Sequence, residues 1–584
     1  MSHALDNRYG HFSADGRRFV ITDSRTPMPW VNVLSNGRYG LVISQNGGGF
    51  SWLDNSQLNV LTRWEMDLVR DDRGKFLYMS DLDTGDVWSL TPQPCGTKFE
   101  RYACEHAPGV TRFLTQAYGI ESEWAIAVSP HDQAEVWAVR VTNRGAGSRR
   151  LRIASFFEWC CGVAPDSKRE FHRLFFTTRY DGSGRVITVL KNMWDAPLPN
   201  DAPMVERQRA HWNRSWPYAA AHAVGMGAGT KFVRELAWGD KGVFLGRYGS
   251  TGKPAAMTAA FPGGAESPNN FGRFGDASAG LGGDFVLKAG ETATFAFSIA
   301  VAEAASETRA AEVARRLADP AEAERAIAGA VGMWSGLLSK SSVSTSAPDF
   351  DLLNSCWLPY QTISGRLWAR TGYYQQSGAF GFRDQLQDSQ VWLARDPERA
   401  REQILLHAAH QFADGSVYHW WHPLAEFGLR TLCSDDYLWL PFLTAQYIKD
   451  SGDWSILGQN VRFVDEQPGA SLLEHCRRSI TRALARLSAR GLPLIGSCDW
   501  NDGLSAMGVE GRGESVWLAQ FMIAVLEDFA HVAERAGGAG GEGGEGGEGG
   551  EGFAETCRRS RAGMIRSVNE HAWESHEEAG GCVG

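Results

Sequence analysis

Several common signatures are absent from this sequence. Its ten cysteines have no spacing typical of a zinc site, and a disulfide framework is not expected in a chain of 584 residues. The chain has no GxSxG nucleophile motif, no Walker loop and no dinucleotide-binding fingerprint. These absences argue against a zinc-finger protein, an α/β-hydrolase, a P-loop NTPase and a Rossmann dehydrogenase.

Long apolar runs and long basic runs are also missing. No apolar run approaches the length of a membrane span, and residues 1–10 carry no apolar signal region. The 58 basic and 68 acidic residues give a net charge of −10, which argues against nucleic acid or an anionic membrane as the main partner. We therefore expect a cytoplasmic chain without a membrane span that binds a neutral substrate.

Tryptophan, by contrast, is abundant, with 22 residues in a chain that is 43% hydrophobic. Many of these tryptophans stand beside polar residues, as in Ser51–Trp52, His211–Asn213, Ser215–Pro217 and His419–His422. Aromatic faces beside hydroxyls and amides are typical of sugar-binding proteins, whereas any single tryptophan is also compatible with an ordinary core. The length predicts two or three domains.

The N-terminal half has the pattern of a β-rich domain. Short runs of branched and aromatic residues, such as Tyr39–Ser44, Val136–Thr142 and Ala293–Val301, alternate with turn clusters such as Asn46–Gly49. This pattern predicts an antiparallel β-sandwich over residues 1–302. The domain serves either packing or one wall of a substrate cleft.

The period then changes to that of helices. Residues 303–348 predict a helical linker, and residues 349–584 alternate helices with polar, aromatic loops, as in an (α/α) toroid whose loops line a pocket. The helices predicted there include Leu472–Arg490, Glu514–Ala536 and Phe553–Trp573. Residues 537–552 are nearly Gly-Gly-Glu repeats and predict a disordered insert.

The chemistry concentrates on the loop Asp499–Gly503, between two of these predicted helices. The carboxyl group of Asp502 could protonate a glycosidic oxygen, the indole of Trp500 could stack on a sugar, and the Asp499 carboxylate could bind hydroxyls. The alternative is an ordinary turn in which Asp502 caps the next helix and Trp500 lies in the core.

A second cluster comprises Arg383, Asp384 and Asp388. The two acids are four residues apart and therefore share one helix face, while Arg383 could orient Asp384 or bind a sugar hydroxyl or phosphate. The alternative is a helix start whose acids interact favourably with the helix dipole.

A third cluster lies at Ser434–Trp439. Asp435 could cap a helix there, with Asp436 and Trp439 facing inward. The nearby histidines of His419–His422 have Glu426 as an acidic neighbour, which is a weak metal pattern, so no metal is expected.

Taken together, these runs resemble the inverting glycoside phosphorylases of the cellobiose phosphorylase family, especially the phosphorylase-like C-terminal region of cyclic β-1,2-glucan synthases. The likeness spans most of residues 9–573 and keeps the family's motif order. It rests on Asn36–Gly40, Gly47–Trp52, Gly378–Asp388, Cys433–Trp439, Asp499–Gly503 and Gly513–Trp517.

The resemblance implies a β-sandwich, a helical linker, an α/α barrel and a small C-terminal β domain. It makes Asp502 the catalytic acid and places Trp500, Arg383 and Asp384 around the donor sugar. Inorganic phosphate is then the co-substrate and no cofactor is needed, because an anionic attacking group requires no second carboxylate as base. Asp502 must carry a proton, which calls for burial or for the nearby Asp499.

Two departures from the family shape the expectation. The run Gln376–Ala379 lacks an arginine that disaccharide phosphorylases tend to carry, which favours a longer β-glucan, with β-1,2 linkage. The later helices, the phosphate-binding residues and the C-terminal domain have no counterpart, so the toroid is expected to be incomplete and the chain truncated. Its partners would be a β-glucan oligosaccharide and phosphate, in a homodimer or in a larger synthase.

Two other functions remain open at this point. The chain could be a carbohydrate-binding fragment without turnover, or an inverting hydrolase in which another acid such as Asp384 activates water.

Overall fold

The computed structural model describes residues 4–163, 170–192, 215–258, 270–538 and 550–573. The chain divides into two compact units, Met1–Gly378 and Ala379–Gly584. Residues 349–378, which the sequence assigns to the toroid, fall in the first unit. The centre of the predicted disordered insert and the last eleven residues lie outside the described residues.

The first unit is built on a large antiparallel sheet. Within the described residues this sheet has eleven strands. In spatial order they are Gly10–Phe12, Phe19–Ile21, Arg101–Ala107, Val110–Ala117, Ile120–Val128, Ala134–Asn143, Thr292–Glu303, Tyr218–Met226, Val186–Lys191, Phe176–Asp181 and Gly272–Arg273.

A second sheet, of nine strands within the same described ranges, lies against the first. Its path is Arg234–Asp240, Ala277–Leu287, Arg149–Gly162, Val60–Thr62, Ser51–Leu53, Tyr39–Ser44 and Val31–Ser35, with Phe76–Asp81 and Val87–Ser89 as a side branch. Side chains of both sheets, including Leu41, Trp124, Trp137 and Phe295, share one buried apolar core. The predicted antiparallel sandwich is confirmed.

Helices cover the outer face of the first sheet. Glu307–Leu317 and Pro320–Leu338 pack alanines and branched residues against it. The second helix starts sharply because Asp319 accepts hydrogen bonds from the backbone N–H groups of Ala321 and Glu322, at 2.9 and 3.1 Å, with Pro320 in the first turn.

The remaining helical turns of the first unit lie mostly at its C-terminal end. Residues 348–369 are helical throughout, with two π-helical segments that contact the sandwich through Tyr360 and Ser364. The α-helices and π-helices of this unit are completed by Lys241–Leu245, Pro348–Leu352, Leu353–Trp357, Leu358–Gln361 and Thr362–Ala369. Its 3₁₀ turns are Glu170–Phe175, Ala255–Met257 and Ala304–Ser306, and its last short strands are Thr371–Gly372 and Gln375–Gln376.

The second unit is a helical domain, as predicted. Its central helix, Trp439–Ser451, packs against several others, including Pro397–Ala408, Leu472–Leu484 and Val516–Gly538. Its other helices are Phe382–Asp388, Gln390–Leu393 and Gly550–His571, with 3₁₀ turns at Asp436–Leu438, Trp454–Gly458 and Asp502–Leu504.

Two small sheets complete the helical unit. Phe380–Gly381 pairs with Tyr418–His422, which pairs in turn with Phe427–Arg430. Asn460–Val461 pairs with Ala470–Ser471. The first sheet lies in a region that the sequence predicts as a loop, because strands this short have no alternating pattern long enough to reveal them.

One helix among the described residues, Val516–Ala536, has the length and mean hydropathy, 1.4, of a membrane span by composition alone. The sequence predicts no such run, because Glu527 and Asp528 interrupt it. Half of its most apolar stretch is buried inside the structure, and a core helix of a globular domain passes the same test.

Candidate active site

The loop Asp499–Gly503 lies between the helices Leu472–Leu484 and Val516–Gly538, close to its predicted place. It leads into the short 3₁₀ turn Asp502–Leu504, which Asn501 caps. The Asn501 Oδ1 accepts a hydrogen bond of 3.0 Å from the backbone N–H of Gly503 and so fixes the turn. The next helix is capped by Ser515, whose Oγ accepts from Leu518 N at 3.0 Å, so Asp502 is not its cap.

Arg383 joins this loop to two other segments of the helical unit. Its guanidinium donates to the backbone oxygen of Asp499 at 2.9 Å, to Asp435 Oδ1 at 3.3 Å and to Asp502 Oδ1 at 2.6 Å. The side chain is 8% exposed. Burial alone would lower the pKa of Arg383, but Asp435 and Asp502 raise it above its usual value, so the group stays charged.

Burial is one route to a protonated acid, but Asp502 is not buried. Its side chain is 64% exposed and is held by Arg383. Nor is Asp499 placed as a second carboxylate facing it: the Asp499 side chain accepts hydrogen bonds from Asn501 N at 2.8 Å and from Ser515 Oγ at 2.6 Å. The structure therefore makes Asp499 a buried anchor of the loop and leaves Asp502 open to solvent.

Trp500 is half exposed and is held by its polar edge. Its Nε1 donates to Gln387 Oε1 at 3.2 Å, and its ring centroid lies 6.1 Å from that of Trp517, at 35° between the planes. At 49% exposure, Trp500 is not a core residue, whereas Trp421 of the His419–His422 run is buried. An indole fixed at one edge and open to solvent is suited to stack on a sugar ring.

Asp384 and Asp388 lie in the first and last turns of the helix Phe382–Asp388, and both are half-buried. The Asp384 carboxylate folds back over the start of this helix. A Cβ at Gly381 would come within 2.0 Å of Asp384 Oδ2, so a larger residue there would displace the Asp384 side chain. This geometry accords with a role for Asp384 at the positive end of the helix dipole.

Asp436 faces inward, but its partner is His419. The Asp436 Oδ2 lies 2.8 Å from His419 Nδ1, while its Oδ1 is buried and has no hydrogen-bond partner among the described residues. Burial raises the pKa of Asp436 to about 6, and hydrogen bonding to Asp436 raises the pKa of His419 to about 9. Near neutral pH the two groups therefore form a buried ion pair.

Some residues of this cluster are missed by sequence reasoning. Asp435 does not cap a helix: it is fully buried and accepts from Arg383 and, at 3.0 Å, from Trp439 Nε1. Cys433 and Cys498 lie beside it with their sulfur atoms 3.0 Å apart. Asp435 and Cys498 directly adjoin predicted residues and Cys433 lies three residues before Asp436, but the contacts of all three depend on tertiary pairing.

Potential metal ligands also come together here. One group is His419, Cys433 and Asp436, and another is Cys433, Cys498 and Asp502. In each group the ligand atoms lie within 4.8 Å of one another. The charged guanidinium of Arg383, which contacts Cys433 and Asp502, opposes a cation at this position. Glu426 instead pairs with His410 at 3.1 Å.

Two family profiles match the chain. Residues 17–320 match the glycosyl hydrolase 94 supersandwich domain, and residues 333–577 match the catalytic domain of the glycosyl hydrolase 94 superfamily. Among solved structures, a protein from the human microbiome assigned as a kojibiose phosphorylase shares the fold, with a TM-score of 0.52 at 9% identity. That match covers 98% of this chain and 71% of the other.

Two relatives match over nearly the whole chain. The cyclic β-(1,2)-glucan synthase NdvB of Rhizobium meliloti (strain 1021) is 33% identical over 545 residues, which is 90% of this chain and 18% of that protein. Solabiose phosphorylase of Paenibacillus borealis is 27% identical over 529 residues, which is 90% of this chain and 63% of that protein. The chain thus spans less than two thirds of either relative, and it belongs to the glycosyl hydrolase 94 family.

Proposed function

We propose that this chain catalyses the phosphorolysis of a β-linked glucan, with Asp502 as the general acid and inorganic phosphate as the attacking group. The observation that carries the proposal is the arrangement around Asp502. Its exposed carboxylate is held at 2.6 Å by the buried Arg383, and the exposed indole of Trp500 stands two residues away on the same loop.

The reaction follows from these groups. Asp502 donates its proton to the glycosidic oxygen as the bond from that oxygen to the anomeric carbon breaks. A phosphate oxygen forms the new bond from the opposite face, so a β-linkage gives α-glucose 1-phosphate. Phosphate is already an anion at neutral pH, and the reaction therefore needs one carboxyl group rather than two.

Arg383 acts after the proton has left Asp502. When Asp502 has lost its proton, the guanidinium 2.6 Å away stabilises the carboxylate that remains. We infer that a bound sugar excludes water from Asp502 and so favours its protonated form, because removal from water disfavours a charged carboxyl group.

The substrate part of the proposal rests on the relatives and on Trp500. One relative is named for the synthesis of a cyclic β-(1,2)-glucan and the other for the phosphorolysis of solabiose. The indole of Trp500 offers a flat apolar face for a pyranose ring, while Gln387 holds its edge. We propose β-1,2-linked glucose units as the substrate, in a cytoplasmic setting where phosphate is abundant.

The test is incubation of the full chain with β-1,2-gluco-oligosaccharides, with and without inorganic phosphate. Glucose 1-phosphate that forms only with phosphate is the expected result. Reducing sugar formed without phosphate would identify a hydrolase instead. Oligosaccharide binding by calorimetry, without any product, would identify a binding protein and contradict the proposal.

A further inference from the structure

Two thiols lie inside the candidate active site without a role in the proposed reaction. Cys433 and Cys498 are both buried, with 2% and 8% exposure, and their Sγ atoms are 3.0 Å apart. They are two of nine free cysteines among the described residues.

The backbone holds these two thiols together. Ser434 N donates to Cys498 O at 2.9 Å, and Cys433 forms an isolated antiparallel bridge with Gly496. The proximity of the sulfur atoms is therefore a property of two paired segments, not of one side-chain rotamer. Such pairing brings two cysteines distant in sequence within reach of a single bond.

The two cysteines contact the groups that hold the acid. Cys433 Sγ lies 3.3 Å from Asp435 Oδ1 and 3.8 Å from an Arg383 nitrogen, while Cys498 Sγ lies 3.7 Å from Asp502 Oδ1. A chemical change at either sulfur therefore alters the surroundings of Asp502 and of its partner Arg383.

The two thiols differ in reactivity. Cys498 is the more exposed of the two and is therefore the thiol that an oxidant reaches first. A thiolate beside a second thiol is the arrangement in which oxidation by peroxide ends in a disulfide.

We propose that Cys433 and Cys498 form an oxidation site, at which hydrogen peroxide joins them in a reversible disulfide that disables the Asp502 loop. The Cys498 thiolate attacks one peroxide oxygen, the O–O bond breaks, and a sulfenic acid and one water result. The Cys433 sulfur then attacks the Cys498 sulfur, the S–O bond breaks, and a second water leaves. Two thiols lose two electrons and two protons, and one peroxide is reduced to two waters.

The bond requires the sulfur atoms to approach from 3.0 Å to about 2.05 Å. Cys498 immediately precedes Asp499, whose backbone oxygen accepts from Arg383. Closure therefore pulls on the anchor of the loop and displaces Asp502 from the guanidinium. This consequence for turnover rests on the proposed function, whereas the disulfide itself does not.

The test combines peptide mapping with an assay on the full chain. After peroxide treatment, mass spectrometry should find a Cys433–Cys498 cross-link, and dithiothreitol should remove it. Phosphorolysis should fall in proportion to the cross-linked fraction and recover on reduction. Before treatment, brief alkylation at neutral pH should label Cys498 faster than the buried Cys476, whose pKa burial raises to about 12.

Two variants control the test. Cys498→Ser should abolish the cross-link, whereas Cys95→Ser, which changes a half-buried thiol of the sandwich, should leave it intact. Sulfinic acid at Cys498 without a cross-link to Cys433 would overturn the proposal, and so would a cross-link that leaves phosphorolysis unchanged. If the reduced chain shows no phosphorolysis, the proposed function fails, and the mapping still decides whether the oxidation site exists.

Discussion

Each unit of the chain contains an ion-pair network around a buried cation. The two networks differ in whether a partner carboxylate is exposed to solvent. In the sandwich, Lys75 Nζ lies 2.8 Å from both oxygens of Glu135, which also accept from Trp137 Nε1 at 2.8 Å and Tyr39 OH at 3.0 Å. The side chains of Lys75 and Glu135 are 2% and 0% exposed. In the helical unit, Arg383 is as well enclosed, but its partner Asp502 is 64% exposed.

The difference shows what each network can do. In the sandwich both charges are enclosed, and every contact of the Glu135 carboxylate is a donor from the protein. Such a network holds strands together and offers nothing to a ligand. In the helical unit the cation is fixed and the anion faces solvent, so a substrate can reach the carboxyl group without breaking the core.

The largest expected effect separates turnover from binding at the Arg383–Asp502 network of the helical unit. Asp502→Asn keeps the size of the side chain but removes the proton donor, so phosphorolysis should fall by about 10²–10⁴-fold. Oligosaccharide binding should persist, because the Trp500 platform remains. Initial rates of glucose 1-phosphate formation provide the measurement.

A matched control comes from the same loop region. Glu510 is an exposed acid paired with Arg512, outside the Asp502 cluster. Glu510→Gln should leave turnover unchanged. Normal turnover by Asp502→Asn would remove Asp502 from the role of acid.

The next prediction concerns the Lys75–Glu135 network of the sandwich. Glu135→Ala leaves the Lys75 ammonium buried without its counter-ion and should destabilise the sandwich by about 3–5 kcal/mol. Denaturant unfolding followed by tryptophan fluorescence measures the change. Glu121→Ala, which removes a solvent-exposed pair with Arg144 in the same sheet, should cost at most about 1 kcal/mol. Equal effects in the two variants would show that enclosure does not distinguish the networks.

Replacing Arg383, the buried cation of the helical unit, should reduce turnover less than Asp502→Asn does. Arg383→Lys keeps the charge but cannot reach Asp499, Asp435 and Asp502 at once, since one ammonium replaces a planar fork. The loss of one charge-assisted hydrogen bond is worth about 1.5–3 kcal/mol, or roughly 10–100-fold in rate. An unchanged rate would mean that the guanidinium geometry is irrelevant.

The smallest expected effect is a pH dependence of stability at His419 and Asp436. The pKa of His419 is raised to about 9 in the folded chain, so its contribution is fully present below about pH 6.5 and is lost as pH rises towards 9. The pKa of Asp436 is also raised, to about 6, so its contribution to the free energy of unfolding falls as the pH rises from about 4 to 6. Arg383 lowers the pKa of His419 and Asp502 raises it, but both act less than the hydrogen bond to Asp436.

The measurement is the free energy of unfolding at pH 6.5 and pH 9.5. The chain should lose on the order of 1–3 kcal/mol over this interval. The variant His419→Gln should lose clearly less. A difference that persists in the variant would assign the pH dependence to another group.

Much of the architecture is predictable from local pattern. The strand expected at Ala293–Val301 lies inside the observed strand Thr292–Glu303, because large apolar residues alternate with small ones over that length. The helix Glu514–Ala536 is found within two residues, at Val516–Gly538, because a long apolar helix has a strong signal. The small sheet through Tyr418–His422 is missed because its strands are short and one of them, Phe380–Gly381, is distant in sequence.

The site is predictable only in part. Loop chemistry and family likeness predict the residues around Asp502, and the structure joins Arg383 to Asp502 directly. The function of Asp499 as an anchor was not foreseeable, because it depends on Ser515, sixteen residues later. The sequence does not predict the solvent exposure of Asp502 either, because exposure depends on the tertiary structure.

The link from Asp499 to Ser515 gives the reactive loop a mechanical coupling. Ser515 caps the first turn of the helix Val516–Gly538 and, through the same hydroxyl, holds the Asp499 carboxylate, three residues before Asp502. Fraying of that turn would release both bonds together. The amide hydrogens of Asn501 and Leu518 should therefore exchange with deuterium at matched rates, so that the first turn of the helix and the loop open as one unit.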